Sequence, residues 1–259
     1  MRALTTFTLL GTLALPLQAQ MPWTSNLPSQ GLALDFLRPK FGAGPTALTS
    51  GALFLSGRFA MGTNSAFKFE LPYARFAQSG FSSSTIGNPY VGAEFGTARS
   101  TSFELGVRVP LTSESEVGYI VGPLSDVLRA EAFFPNVLSV LARVRFHRDY
   151  PTGLTLDLGG GPSAWIPTKG GGDPVLVLHQ HVSGGYRGPK AWISFGFGGR
   201  LRLTGQGSFA ERTIYQIGAS AGLSQGQVRP ALHLILPLDS RARSFVDVVL
   251  GLGVAVALP

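Results

Sequence analysis

A period-two alternation of apolar and polar side chains, renewed segment after segment, restricts this chain more than any other feature of its sequence. Successive side chains of a strand point to opposite faces of a sheet, so alternation sorts each segment into two faces. In Ser102-Phe103-Glu104-Leu105-Gly106-Val107-Arg108-Val109, one face is Phe103, Leu105, Val107 and Val109. The other is Ser102, Glu104, Gly106 and Arg108. Segments 67–71 and 140–146 divide in the same way. In 193–203, Ile193, Phe195, Phe197, Leu201 and Leu203 oppose Ser194, Gly196, Gly198, Arg200 and Arg202. The last segment sets Val246, Val248, Leu250, Leu252, Val254 and Val256 against Asp247, Val249, Gly251, Gly253 and Ala255.

A soluble sandwich alternates too. Here, however, each apolar face runs for about nine to eleven residues, the bilayer-crossing length of a tilted strand. The opposite faces mix Gly, Ser, Glu and Arg, which suits a lumen better than a solvated sheet face. Charged residues make up 14% of the 259-residue chain, against roughly 25% in an ordinary soluble domain. Beyond the first twenty residues no apolar run reaches the ~20 residues of a spanning helix. The pattern therefore predicts an all-β fold, an antiparallel transmembrane β-barrel of about 12 strands. The strands are expected at 29–38, 49–61, 64–74, 88–97, 100–110, 136–148, 152–160, 174–186, 189–203, 211–223, 226–237 and 244–258. Closure would remove the sheet edges these apolar strands would otherwise expose.

The connections alternate between short and long, as periplasmic turns and external loops do. The short set is Gly62-Thr63-Asn64, Thr97-Ala98-Arg99, Asp149-Tyr150-Pro151, Arg187-Gly188-Pro189 and Ser224-Gln225-Gly226, largely turn formers. The long set includes 77–87, 111–135 and 161–173, with Trp165 expected in an external loop between two glycine triplets. Within 111–135, Ser125-Asp126-Val127-Leu128-Arg129-Ala130-Glu131-Ala132 is expected to form a short helix capped at Ser125 or Asp126. Such a loop either covers the mouth or folds into it, or is a plain surface excursion.

Residues 1–20 have the form of a secretory signal. Arg2 precedes a short apolar core with Leu9, Leu10, Leu13 and Leu15, Pro16 breaks it, and Leu17-Gln18-Ala19 resembles a small-residue cleavage site. Cleavage is expected near residue 19 or 20, followed by a periplasmic lead-in over 21–28 and the barrel over 29–259. Export by the general secretory route to the outer membrane follows, with outer-membrane lipids and lipopolysaccharide as surroundings. The Ala257-Leu258-Pro259 end lacks the aromatic residue common in such barrels, which implies different handling by the insertion machinery.

The formal charge of +7 invites a nucleic-acid reading. The cations stand singly along strands with no Lys/Arg run, so no nucleic-acid partner is expected. Arginines in a lumen, or at a rim facing lipopolysaccharide phosphates, explain the same excess. No Cys is present, which excludes disulfides and thiolate metal sites; no cofactor is expected.

One stretch carries a family resemblance. Gly87-Asn88-Pro89-Tyr90-Val91-Gly92-Ala93-Glu94-Phe95, then a tight turn and a strand ending Val109-Pro110-Leu111, resembles outer-membrane barrels of the meta-pathway phenol-degradation family. That family pairs a Gly-Asp-x-x-x-Gly-x-(Lys/Arg)-(Tyr/Phe) strand with one ending in a Leu-Pro-like pair before a long loop. Here Asn88 stands for the usual Asp and Glu94 for the usual cation. The resemblance covers about a quarter of the chain. It implies a barrel that passes small hydrophobic or aromatic compounds, in the manner of the wider hydrocarbon-transporter group.

The inward-facing set comprises Lys68, Glu70, Glu94, Glu104, Arg108, Arg143, Arg145, His147, Asp157, His179, His181, Arg200, Arg202, Arg229, His233 and Asp247. Buried charges must be paired or hydrated, so these either form a salt-bridged plug or line a wet lumen. As a binding site, Arg108, Arg143, Arg145, Arg200 and Arg202, with Glu94 and Glu104, form a candidate constriction. His181 and Ser183 share a face, the minimum for acyl transfer, and His-x-Ser is similar to the core of outer-membrane phospholipase A, with Gly184 where that family has Asn. No catalytic set is assigned from it. His179 and His181 with Asp157 lack the fixed ligand set of a metal centre, and no metal is expected. The expectation is a passive pore or transporter for small molecules. The alternatives are a structural or interaction barrel with a closed lumen and an outer-membrane lipid hydrolase.

Overall fold

All but one pair of consecutive strands in the sheet are joined antiparallel, and the last strand returns to the first. A computed structural model describes residues 30–41, 49–78, 80–96, 100–112, 114 and 116–259, with backbone alone for 116–119. The expected signal, the lead-in and the turn Thr97-Ala98-Arg99 lie outside the described residues.

The strands are β1 Gly31–Phe41, β2 Gly51–Ala60, β3 Ser65–Gln78, β4 Phe81–Ile86, β5 Tyr90–Gly96, β6 Thr101–Arg108 and β7 Val137–Asp149. They continue as β8 Leu154–Pro167, β9 Val175–Arg187, β10 Ala191–Arg202, β11 Thr213–Leu223, β12 Val228–Pro237 and β13 Val246–Ala257. β4 pairs with the second half of β3 and β5 with its first half, so the two form one stave interrupted at 87–89. With β2 joined to β3 and Gly31 opposite Ala257, the result is a closed barrel of twelve staves.

The alternation read from the sequence orders the barrel radially. In β6, Ser102, Glu104 and Arg108 are buried while Phe103 and Leu105 are exposed. Leu232 and Leu252, 61% and 62% exposed, belong to an apolar outer belt with Phe67, Phe95, Phe195 and Leu250. Soluble monomers rarely expose contiguous apolar surface on this scale. Short turns close one end, where Gly153 and Gly226 adopt φ of 87°, the left-handed region that a side chain disfavours.

Four expectations are corrected. β3 and β4 extend as a hairpin through most of 77–87, where an open connection is expected. β8 continues to Pro167, so Trp165 lies on a strand and the connection shrinks to 168–174. The Gly159-Gly160-Gly161 run reads as a strand end but is strand interior. The ring of His181 packs over Gly159, and the carbonyl of Ala142 lies close to Gly161, leaving no room for a Cβ at either. Asp247 sits beside a register shift between β1 and β13 and is exposed.

The connection from β6 to β7 folds into the barrel. It holds an α-helix, α1 Glu116–Ser125, and a 3-10 helix Val127–Phe133. The helix expected near 125–132 is thus this 3-10 helix, and Asp126 is its cap: its carboxylate accepts from Leu128 N–H. All seven residues of the 3-10 helix are buried. Val127, Leu128, Ala132 and Phe133 join Leu37, Phe54, Ile235 and Val249 in an apolar cluster inside the half of the barrel nearer the long connections.

Candidate functional site

Below that apolar layer the lumen is charged. In the 3-10 helix, Asp126 accepts from Arg129 Nε at 2.8 Å and from Gln216 Nε2 of β11 at 2.7 Å. Glu70 of β3 takes Arg108 Nη2 of β6 at 2.6 Å and Arg129 Nη1 at 3.2 Å. The Arg129 guanidinium also covers the Phe54 ring, 3.6 Å from its centroid. Burial works against the charged form of Arg129, but Asp126 and Glu70 outweigh it and raise its pKa, so it stays a cation. Glu131, fully buried, is ringed by Arg108 Nε at 3.8 Å, Arg143 Nη2 of β7 at 3.6 Å and Arg200 Nη1 of β10 at 3.7 Å.

Nearer the short turns the filling is ion pairs between strands. Arg58 Nη2 meets Glu94 Oε1 at 2.7 Å, Lys68 Nζ meets Glu104 Oε2 at 2.6 Å, and the Tyr90 hydroxyl donates to Glu104. Across the barrel, Asp157 accepts from Arg145 and lies 3.0 Å from both His147 Nδ1 and His181 Nε2. A third group joins Ser220 Oγ to His233 Nδ1 at 2.9 Å and His233 Nε2 to Asp35 at 3.3 Å, tying β11, β12 and β1. Isolated charges in such surroundings are costly, whereas paired ones with good hydrogen bonds persist.

The plug connection is fastened at the interrupted stave. Asn88, fully buried at the break between β4 and β5, donates Nδ2 to the carbonyls of Glu131 (3.0 Å) and Phe134 (2.7 Å). Its Oδ1 accepts from Leu111 N, Thr112 N and Thr112 Oγ1, each at 2.9 Å. Its backbone N–H reaches the Ala132 carbonyl at 2.6 Å. One side chain therefore clasps both ends of the inserted segment. Gly87 N–H still reaches the Pro72 carbonyl and the Pro89 carbonyl still accepts from Val109, so Asn88 alone gives its N–H to the plug, next to a proline that has none to give.

Of the residues singled out as a constriction, Arg108, Arg143 and Arg200 converge on Glu131, Glu104 bonds Lys68, and Glu94 bonds Arg58. Arg145 belongs to the separate Asp157 group. Arg202 stands apart: it is exposed and donates to the Gln206 carbonyl at 3.2 Å. Arg229 likewise donates to the Gly226 carbonyl at 3.0 Å in a short turn. The set omitted Arg58, Tyr90, Asn88, Asp126, Arg129 and Glu131. Arg58 lies on a strand whose alternation is blurred by Gly57, and the plug residues carry no period-two signal. His181 directs Nε2 to Asp157, not to Ser183. Among the described residues no three His, Asp or Glu side chains form a metal-holding group.

Solved structures share this architecture. An outer membrane channel from Pseudomonas putida F1 superimposes with a TM-score of 0.61 at 12% identity, over 92% of this chain and 99% of that one. The fold is that of outer-membrane β-barrels. The NanC porin matches with a TM-score of 0.56 at 9% identity, over 88% of this chain and 100% of the porin. No protein-family profile matches the sequence, and no curated protein matches it. At these identities the likeness concerns the barrel fold alone.

Proposed function

We propose that the chain is a passive outer-membrane channel for small solutes, held shut in this conformation by the segment between β6 and β7. The observation that carries this reading is the character of the plug. It is a discrete connection, fastened by hydrogen bonds and ion pairs, whose apolar side packs on Leu37, Phe54, Ile235 and Val249 and whose charged side meets a lumen lined with charge. A barrel serving only as a scaffold has no need of a charged bore plus a separately clasped stopper. The likeness to an outer-membrane channel and to a porin supports the same reading.

The finer readings are part of the proposal. The Gly87–Phe95 resemblance supports membership of the meta-pathway phenol-degradation group and passage of small hydrophobic or aromatic molecules. Residues 1–20 are read as a cleaved signal. Lipids of the outer membrane cover the apolar belt, and rim cations such as Arg241, 60% exposed, meet lipopolysaccharide phosphates.

One observation favours a second reading, a structural barrel with a permanently closed lumen: Glu131 and Phe133 are fully buried, so the plug fills its site. Liposome swelling separates the two. Vesicles carrying the folded protein with 114–134 replaced by a short Gly-Ser linker should admit small sugars and amino acids much faster than vesicles carrying the intact chain. Equal, background-level rates for both proteins would leave the structural reading standing and remove the channel.

A further inference from the structure

The ring of arginines around Glu131 is chemically unfinished. Arg108 Nε, Arg143 Nη2 and Arg200 Nη1 all lie 3.6–3.8 Å from its carboxylate. None of these three nitrogens makes a hydrogen bond, and neither do Arg143 Nε or the two Glu131 oxygens. Arginine pairs carboxylates best as a fork at 2.7–2.9 Å. A residue fixed to a helix backbone, itself held by Asn88, cannot approach all three guanidinium groups at once. Two further polar groups beside them lack partners: both ring nitrogens of buried His179, which pairs with Arg200 across β9 and β10, and Trp165 Nε1. Arg200 lies over Trp165, 5.2 Å from its ring centroid, and 5.8 Å from that of Phe134.

We infer that this cradle is a carboxylate-binding site, that Glu131 occupies it as a tethered stand-in, and that a free carboxylate solute displaces Glu131 and thereby loosens the plug. This rests on the channel reading and names its substrate class. An untethered carboxylate can take the fork geometry that Glu131 is denied. The Phe134–Trp165 pair, with ring centroids 5.1 Å apart, favours an aromatic body behind the carboxylate. Loss of Glu131 from the ring breaks its three ion pairs on the 3-10 helix, leaving Asp126, Arg129 and Asn88 to hold it. The ligand that enters the bore thus also shifts the bore toward its open form.

The probe is sodium benzoate, with benzamide as the uncharged analogue of the same shape. In planar bilayers, benzoate at millimolar concentration should raise the open fraction of the intact protein at least tenfold, and benzamide should leave it unchanged. An Arg143→Gln/Arg200→Gln variant that remains folded should lose the benzoate response. In a variant retaining Trp165 as its sole tryptophan, benzoate and not benzamide should shift the emission, with half-saturation matching the conductance response. If the loop-shortened barrel conducts but benzoate affects neither conductance nor Trp165 in the intact protein, the inference is overturned while the channel stands. If the loop-shortened barrel is silent, the channel reading falls. The Trp165 titration alone then decides the site: a saturable, benzoate-specific shift supports it and its lack overturns it.

Discussion

Changing Asn88 to Asp tests the fastening of the plug with almost no change in shape. Asn88 uses both Nδ2 hydrogens on the carbonyls of Glu131 and Phe134. Asp keeps the acceptor atom that serves Leu111 and Thr112 but has no hydrogen to give. Two buried carbonyls lose their donor and face a carboxylate oxygen instead, at ~1–3 kcal/mol each, or about 2–6 kcal/mol in sum. The bonds from Leu111 and Thr112 become charge-assisted and offset roughly 1–2 kcal/mol. Burying the carboxylate adds cost in the original direction. Taken at mid-range, these terms leave a net loss of ~2 kcal/mol or a little more, and ~2 kcal/mol shifts the docked-to-undocked ratio about 30-fold, at 1.4 kcal/mol per factor of ten. Hydrogen exchange of the amides in 127–133 reads that ratio directly, because local opening controls their protection. Protection in the Asn88→Asp protein should fall by about 30-fold or more, while amides of β9 and β10 keep theirs. Protection within threefold of the parent, in a folded barrel, would refute the assignment of Asn88 as the clasp.

Other substitutions probe separate parts of the account. Glu70→Gln removes the charge shared by Arg108 and Arg129 and should cost about 3 kcal/mol in urea unfolding of the refolded barrel, since breaking a buried pair strands the remaining charge. Gly87→Ala would bring a Cβ to 2.5 Å from the Ala132 carbonyl oxygen and 2.9 Å from the Phe133 ring. It should expose 116–134 to limited proteolysis and leave the strands resistant. Leu252→Arg, on the outer belt, should reduce stability in lipid by about 2–4 kcal/mol, with a much smaller effect in a mixed detergent micelle that lets water reach the belt.

The barrel wall was legible because its two solvents are so different. Phe103, Leu105 and Val107 meet lipid while Ser102, Glu104 and Arg108 meet the lumen, and a period of two records that contrast residue by residue. The strand count followed from the same signal with turn formers between. The Gly159-Gly160-Gly161 run misled because glycine marks both turns and close cross-strand approach; the difference lies in His181, more than twenty residues away. The site was legible by halves. Arg108, Arg143 and Arg200 stand on strands and declare their face. What they surround does not: Glu131 belongs to a segment whose destination depends on partners in β3, β6, β7, β10 and β11, and no local period encodes that. Asn88 was visible only as a departure from the pattern that 87–95 resembles, and its meaning emerged with the break in the stave.

Single-channel recording separates a plugged pore from a barrel that has none. The intact, refolded protein and the variant with 114–134 replaced by a short linker are inserted into planar bilayers under the same salt gradient. The intact barrel should stay mostly closed, and the variant should conduct steadily and prefer anions, its preference set by the unmasked Arg108, Arg143 and Arg200. A folded, inserted variant as silent as the parent would contradict the channel reading, because removal of the plug would then have uncovered no pore.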